Sequence, residues 1–281
     1  MACPMTIQVE TCYRHPDRQT RVHCTRCGRP ICPDCMTQAP VGHHCPTCVA
    51  EGRGGVRRVR PVIPRPRSAT TAILAVNVAA FVLDLVVRTL GTGSLLEAGA
   101  MIPGLVARGE WWRLFTAMFL HVGVLHLALN SFGLYLFGNV VEQSLGTARM
   151  LALYLVTGFC ASVASFTFGP VAVAAVGASG AVFGLLGAWL AYNLRRRSLR
   201  LARANVQWAL MLIGINLVFG LSVPGIDNLA HIGGLVTGVV AGLGIEGVAG
   251  RRRTRTASAA VTIAALVTVA TALAIWRAST L

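Results

Sequence analysis

The stretch VGASGAVFG (residues 176–184) places a single hydroxyl, that of Ser179, among Gly, Ala, Val and Phe residues. The rest of the chain is also apolar: 54% of its 281 residues are hydrophobic, 12% are charged, and the mean hydropathy is +0.64. Soluble domains of this length carry far more charge. We therefore predict a polytopic membrane protein. A serine between small residues fills space poorly at membrane depth, which makes Ser179 a candidate functional residue.

Seven apolar segments are long enough to be transmembrane helices, since crossing a bilayer takes about 20 apolar residues. They lie at about 69–88, 122–141, 149–168, 179–194, 206–223, 227–246 and 257–276. The segment 90–121 is too broken by Gly, Pro and charge to span. We expect an all-α membrane bundle over residues 68–281.

The basic residues predict the orientation of this bundle. All 25 of them are Arg, the formal charge is +15, and Arg-rich loops occur at 195–205 and 250–256. Such loops stay in the cytoplasm, and residues 1–50 lack the apolar core of a secretory signal. We expect an integral membrane protein with a cytoplasmic N-terminus and an external C-terminus. The Arg-only, Ala-rich composition favours a bacterial plasma membrane.

Polar residues of two predicted spans converge on Ser179, which begins a third. His231 lies about one turn into the sixth span, on the side where Ser179 begins the fourth, and His126 and Asn130 lie in the outer half of the second. A serine hydroxyl needs a neighbouring base to become a nucleophile. Because the chain has no Lys, His231 is the best candidate for that base.

Glycines at four-residue spacing would let the fourth and sixth helices approach closely. They are Gly180 and Gly184 on one helix, and Gly234, Gly238 and Gly242 on the other.

These residues resemble the rhomboid family of intramembrane serine proteases. The match consists of GASG at 177–180, HLALN at 126–130, AHIGG at 230–234 and EWWR at 110–113. The resemblance implies a six-helix core plus one C-terminal helix, and cleavage of transmembrane protein substrates in the lipid bilayer near its outer face. It also implies a catalytic dyad of Ser179 as nucleophile and His231 as general base. Asn130, His126 and the Ser179 N–H would stabilise the oxyanion.

Six further positions complete this interpretation. Trp112 and Arg113 resemble a structural motif of the family's long loop, and Glu142 resembles a structural carboxylate of its core. Phe183 stands where many members carry a Tyr that stacks under the histidine ring. Asp227 could orient His231 as a third triad member, but an N-cap of the sixth helix is the favoured interpretation. We interpret His121 as an interfacial anchor.

Two other functions are alternatives to proteolysis. A catalytically inactive rhomboid-like protein would bind membrane clients without cutting them, but Ser179, His231 and Asn130 are all present. A transporter is disfavoured because the chain lacks paired intramembrane carboxylates. Nucleic acid is not an expected partner, since the arginines flank apolar spans and do not form one soluble basic face.

The N-terminal region is rich in cysteine: eight of the nine Cys lie in the first 48 residues. A cytoplasmic location argues against disulfides and favours metal. The pairs Cys12/His15, Cys24/Cys27, Cys32/Cys35 and Cys45/Cys48 have the spacing of two structural zinc sites. A redox role for the CxxC pairs is the alternative, although redox motifs occur singly.

The four pairs resemble the B-box class of zinc modules. That resemblance implies interleaved ligands, with the first pair joining the third and the second joining the fourth. His43 or His44 could replace a cysteine in the second site. We expect a zinc-binding domain at residues 1–50, joined by a basic Pro/Gly linker at 51–67, that recognises a cytoplasmic protein partner or regulates the membrane domain.

Overall fold

The computed structural model describes residues 10–55, 68–246 and 252–281. The chain divides into two compact units between residues 63 and 64. Most of the linker predicted at 51–67 lies outside the described residues, although its first five residues continue a helix that ends at Gly55.

The N-terminal unit is small and has very little apolar core. Its strands pair antiparallel, β1 (Glu10–Thr11) with β2 (Gln19–Thr20) and β3 (Thr37–Gln38) with β4 (His43–His44), and helix α1 (Pro46–Gly55) follows. Apart from Ile31, the buried cluster consists of six cysteines. An interior of this kind offers little hydrophobic stabilisation, so the unit needs another source of folding energy.

The membrane unit consists of helices. In chain order they are α2 (Ala69–Thr89), α3 (Leu95–Gly99), α4 (Pro103–Ala107), α5 (Arg113–Thr116), α6 (Val124–Leu145), α7 (Thr147–Phe168), α8 (Ser179–Leu194), α9 (Arg200–Ser222), α10 (Asn228–Glu246) and α11 (Arg252–Ser279). In the described part of the chain, six of them are long and apolar enough to cross a membrane, and α8 is a shorter apolar helix. The predicted all-α membrane bundle is confirmed, and the protein is an integral membrane protein.

The segment between α2 and α6 forms short helices, in agreement with its broken apolar pattern. Arg113 holds it together from a buried position: its Nε donates to Glu110 at 2.7 Å, and one terminal nitrogen donates to the carbonyl oxygens of Glu97 and Ala100 at 2.8 and 2.9 Å. Trp112 Nε1 donates to another carbonyl of the segment. These contacts agree with the structural role that the resemblance implies for Trp112 and Arg113.

Glu142, near the C-terminal end of α6, caps the first turn of α2. Its carboxylate accepts the N–H groups of Ala69 and Thr70 at 2.9 and 3.1 Å, and the Thr70 hydroxyl at 2.7 Å. Two of the N–H groups that a helix N-terminus leaves unpaired are thereby satisfied. The bond joins the two helices across 73 residues of sequence.

Helix α8 is the buried centre of the bundle, and α10 lies directly against it. A side chain on Gly234 would collide with the carbonyl oxygen of Gly180, and one on Gly238 with that of Gly184. The two backbones are therefore in contact, as the glycine spacing predicts. With 16 residues, α8 is about 24 Å long, shorter than the roughly 30 Å of a bilayer's hydrocarbon core.

Candidate active site

Ser179 is the first residue of α8, at the end of a loop that glycine shapes. Gly177 has φ +119°, a conformation that side chains disfavour, and a Cβ there would fall on the ring of His126. The N–H groups in the first turn of a helix have no partner within that helix. The N–H of Ser179 is one of them and lies beside the hydroxyl.

His231 lies on α10 with its imidazole stacked on Phe183. The ring centroids are 4.3 Å apart, with 7° between the planes. Phe183 follows Ser179 by four residues, so both lie on one face of α8 and the stack places His231 near Ser179. Among the described residues, no hydrogen bond joins the Ser179 hydroxyl to the His231 ring. Catalytic hydrogen bonds are often long before substrate binds.

His126 and Asn130 face the same loop from α6. The N–H of Val122 donates to His126 Nδ1 at 3.4 Å, which leaves the proton on Nε2, the nitrogen facing Gly177. The Asn130 amide donates to the carbonyl oxygen of His126 at 3.0 Å, and its nitrogen also lies near Gly177. Both side chains can therefore present N–H donors to the residues that precede Ser179.

His121 belongs to this cluster as well, and its interpretation as an interfacial anchor is wrong. Its side chain is 2% exposed, its Nε2 accepts the N–H of Ala178 at 3.5 Å, and its ring meets the His126 ring edge-on, with centroids 5.2 Å apart. Burial, together with the nearby His126, lowers the pKa of His121 to about 4. His121 is therefore neutral at physiological pH and can accept that hydrogen bond.

Asp227 caps α10, as predicted. One carboxylate oxygen accepts the N–H of Ala230 at 2.9 Å, and the other accepts the Ser165 hydroxyl. In the described part of the protein, His231 Nδ1 is buried without a hydrogen-bond partner. The carboxylate therefore does not orient the imidazole as the third member of a triad.

A small, partly open cleft lies beside Ser179. It extends between α7, α8 and the start of α10, and small residues form most of its wall. Asp227, Ser162 and Ser165 line it as well, so part of the wall is polar. Ser179 itself is one of the residues that line this space.

The N-terminal unit contains two groups of residues that can hold metal ions. One is Cys12, His15, Cys32 and Cys35, and the other is Cys24, Cys27, Cys45 and Cys48. This is the interleaved pairing that the B-box resemblance implies. His43 and His44 lie in β4 and belong to neither group, so the second set consists of cysteine alone.

The geometry of both groups suits a tetrahedral metal. Two sulfur ligands at about 2.3 Å from a zinc ion lie roughly 3.8 Å apart. Cys27 and Cys45 have their sulfurs 3.7 Å apart, and His15 Nδ1 lies 3.2, 3.5 and 3.8 Å from the three sulfurs of its group.

In the second group the backbone favours the ionised form of Cys24, whereas burial and the neighbouring sulfurs raise the pKa of Cys48. Burial opposes ionisation of Cys24, but N–H groups of Cys45 and Cys27 donate to its sulfur and lower the pKa of the thiol to about 6. A thiolate is the form that binds metal.

Comparison with known proteins relates the membrane unit to one family. Residues 108–246 match the family described as Rhomboid domain. The chain is 43% identical over 178 residues to "Rhomboid protease GluP" of Bacillus subtilis (strain 168), a match that covers 61% of this chain and 34% of that protein. It is 41% identical over 153 residues to "RHOMBOID-like protein 6, mitochondrial" of Arabidopsis thaliana, covering 54% and 49%.

A third relative, "RHOMBOID-like protein 1" of Arabidopsis thaliana, is 39% identical over 157 residues, covering 54% of this chain and 40% of the relative. The chain thus spans between about a third and a half of the length of these three curated relatives.

Proposed function

The chain belongs to the rhomboid family, and from this we propose that it is an intramembrane serine endopeptidase that cleaves transmembrane protein substrates near the outer face of the membrane. The observation that carries the proposal is the stack of Phe183 on His231, because it holds an imidazole on the face of α8 that begins with Ser179. Ionisable residues at membrane depth are functional candidates by default.

The proposed reaction is acyl transfer to Ser179. His231 takes the proton of the hydroxyl as the oxygen attacks the carbonyl carbon of the substrate, and then gives it to the leaving amine. A water molecule, activated by the same imidazole, hydrolyses the acyl-enzyme. The free Nδ1 of His231 can carry the second proton of the imidazolium that forms in each step.

Three donors are available to the tetrahedral intermediate. The N–H of Ser179 lies at the positive end of α8, and the side chains of His126 and Asn130 face the adjoining loop. Fixed donors of this kind stabilise the negative charge that develops on the carbonyl oxygen. Substrate binding would bring Ser179 and His231 into hydrogen-bonding distance.

Labelling with a fluorophosphonate probe tests this proposal, because the probe reacts with an activated serine. The wild-type protein should be labelled and should cut a model transmembrane substrate. Ser179→Ala and His231→Ala should lose both activities while retaining the fold, since each removes the covalent step. Ser222→Ala, at the exposed end of α9, is the matched control and should behave as wild type. Wild-type turnover in either dyad variant would refute the dyad.

The second candidate function is that of an inactive rhomboid-like protein that binds membrane clients. The missing hydrogen bond between Ser179 and His231 in the described structure favours it. The same experiment separates the two functions, because an inactive protein would show neither labelling nor cleavage while still capturing a client.

We also propose that the two Cys/His groups hold zinc and that the metal supplies the folding energy of the N-terminal unit. The arginine-rich segments at 195–205 and 250–256 support an orientation with the N-terminus in the cytoplasm and the C-terminus outside, in a membrane that we take to be a bacterial plasma membrane. The zinc module would then recognise a cytoplasmic partner or regulate cleavage.

A further inference from the structure

The two Cys/His groups of the N-terminal unit differ in how well their sulfurs are shielded from solvent. Cys27, in the second group, is exposed, whereas the other six cysteines of the two groups are at most 5% exposed. In the first group the partly exposed member is His15, whose side chain carries no sulfur. An oxidant in solution therefore reaches a ligand sulfur of the second group at Cys27, while the sulfurs of the first group are covered.

Hydrogen bonds to sulfur also separate Cys27 from its neighbours. The sulfur of Cys24 accepts the N–H of Cys45 at 3.2 Å, and the sulfur of Cys45 accepts the N–H of Cys48 at 3.3 Å. In the part of the chain that the structure describes, the Cys27 sulfur contacts the Cys45 sulfur at 3.7 Å and receives no N–H. A donated N–H stabilises the charge of a thiolate and lowers its nucleophilicity. Cys27 is therefore the more reactive sulfur as well as the more exposed one.

We propose that Cys27 is a site of oxidation by hydrogen peroxide, that Cys45 completes a disulfide with it, and that the second group thereby releases its metal while the first retains its own. The inference rests on the proposed zinc sites and is independent of the protease reaction. A disulfide places its sulfurs about 2.05 Å apart. Cys27 and Cys45 start from 3.7 Å, so a short approach of the two side chains is enough.

The oxidation takes two steps and consumes one peroxide. The Cys27 thiolate attacks a peroxide oxygen, the O–O bond breaks, and the departing hydroxide takes a proton from solvent to become water. The Cys45 thiolate then attacks the sulfur of the resulting sulfenic acid, the S–O bond breaks, and a second hydroxide leaves and is protonated. Each thiolate loses one electron, and the peroxide gains both. Two ligands of the group, Cys24 and Cys48, then remain, too few for a structural zinc site.

The loss of the metal changes how α1 is held. Cys45 directly precedes this helix, and Cys48 lies in its first turn. A bound ion joins both residues to the turn that carries Cys24 and Cys27, and this bond is part of the folding energy of the unit. Oxidation therefore loosens the half of the N-terminal unit that contains α1 and leaves the half built on the first group intact. Recognition by the loosened half becomes sensitive to oxidant.

The test uses the full chain in detergent, loaded with zinc, and follows metal release with a chromogenic chelator as hydrogen peroxide is added. Wild type should release one zinc ion per chain and keep the other. Peptide mass spectrometry should find a disulfide between Cys27 and Cys45. Dimedone, which traps sulfenic acids, should label Cys27 before any other cysteine when it is present with the peroxide. A thiol reductant with added zinc should restore the released ion.

Cys27→His is the decisive variant, because three cysteines and one histidine are also an ordinary zinc ligand set. It should bind two ions and release the second at least about tenfold more slowly than wild type, since its exposed ligand no longer carries a thiolate. Cys12→His makes the same exchange in the first group and should release zinc at the wild-type rate. If Cys27→His loses the second ion before oxidation, dimedone labelling of wild type still identifies the attacked sulfur.

Several results would overturn the inference. They are release of both ions at equal rates, retention of both ions, a disulfide between any other pair of cysteines, and dimedone labelling of another cysteine first. Release from Cys27→His at the wild-type rate overturns it too. Absence of zinc from the untreated protein would instead refute the proposed metal sites. Cleavage of a transmembrane substrate has no part in these measurements, so a failure of the proposed protease function is recognised separately.

Discussion

The imidazole of His231 lies parallel to the ring of Phe183, with 4.3 Å between the centroids. Nδ1 of the same imidazole has no hydrogen-bond partner in the described structure, and the nearby Asp227 bonds elsewhere. In many serine hydrolases a carboxylate orients the base. In the proposed dyad an aromatic surface would take that role, and the orientation of His231 would depend on packing.

Phe183→Ala should therefore lower kcat/KM. An aromatic stack of this kind contributes about 0.5–1.5 kcal/mol, which corresponds to roughly 2- to 13-fold in rate. Phe183→Tyr keeps the aromatic face and should retain most activity. Phe132→Ala is the control, since that ring is 62% exposed on α6. Full activity in Phe183→Ala would show that the stack does not orient His231.

Asn130→Ala should reduce turnover by about 10- to 1,000-fold, as the loss of an oxyanion donor does, and should leave substrate binding intact. Asn139→Ala is a matched control on the same helix. Both side chains donate to the carbonyl oxygen four residues before them, Asn130 at 3.0 Å and Asn139 at 2.7 Å. Equal turnover of the two variants in a steady-state assay would remove Asn130 from the site.

Gly238→Ala should destabilise the membrane unit. The new methyl group would collide with the carbonyl oxygen of Gly184, and separating α8 from α10 costs about 1–3 kcal/mol, as overpacking does. Gly214→Ala is the control: it lies in α9 with open space around it and should stabilise the helix by roughly 0.5–1 kcal/mol. Unfolding titrations in detergent measure both changes. A stable Gly238→Ala protein would contradict the close backbone contact.

Metal analysis of the full chain should give two zinc ions per protein. Cys24→Ser should reduce the content to one, because it removes a thiolate from one of the two separate groups. His44→Ala should keep both ions, since His44 lies outside them. If the zinc content falls in His44→Ala but not in Cys24→Ser, a histidine belongs to the second ligand set after all.

The apolar periodicity and the glycine spacing predict much of this structure, but they do not predict the contacts that loops make. The apolar segments and the glycines of α8 and α10 locate the helices, since transmembrane length and close packing leave direct sequence signals. The buried position of His121 leaves no such signal in the sequence. It depends on how the 3-10 turn at Ala117–Phe119 and Gly123 (φ +83°) fold the chain back under Ala178.

The bond between Asp227 and Ser165 is a second example of this limit. It joins positions 62 residues apart, on α7 and before α10. Local sequence predicts the cap that Asp227 gives to α10, because a cap lies within one helical turn. The partner of its other oxygen, and with it the polar wall of the cleft, follows only from the packed helices.

The carboxylate cap on α2 has a consequence for biosynthesis. The N–H groups of Ala69 and Thr70 emerge from the ribosome 73 and 72 residues before Glu142 does. At about 5–20 residues per second, the first transmembrane helix waits several seconds for its cap. Until then the helix is inserted, but the N–H groups of its first turn lack this carboxylate partner. The second transmembrane helix completes the first, so a translation arrest before Glu142 should leave a nascent chain that is integrated yet sensitive to quality control.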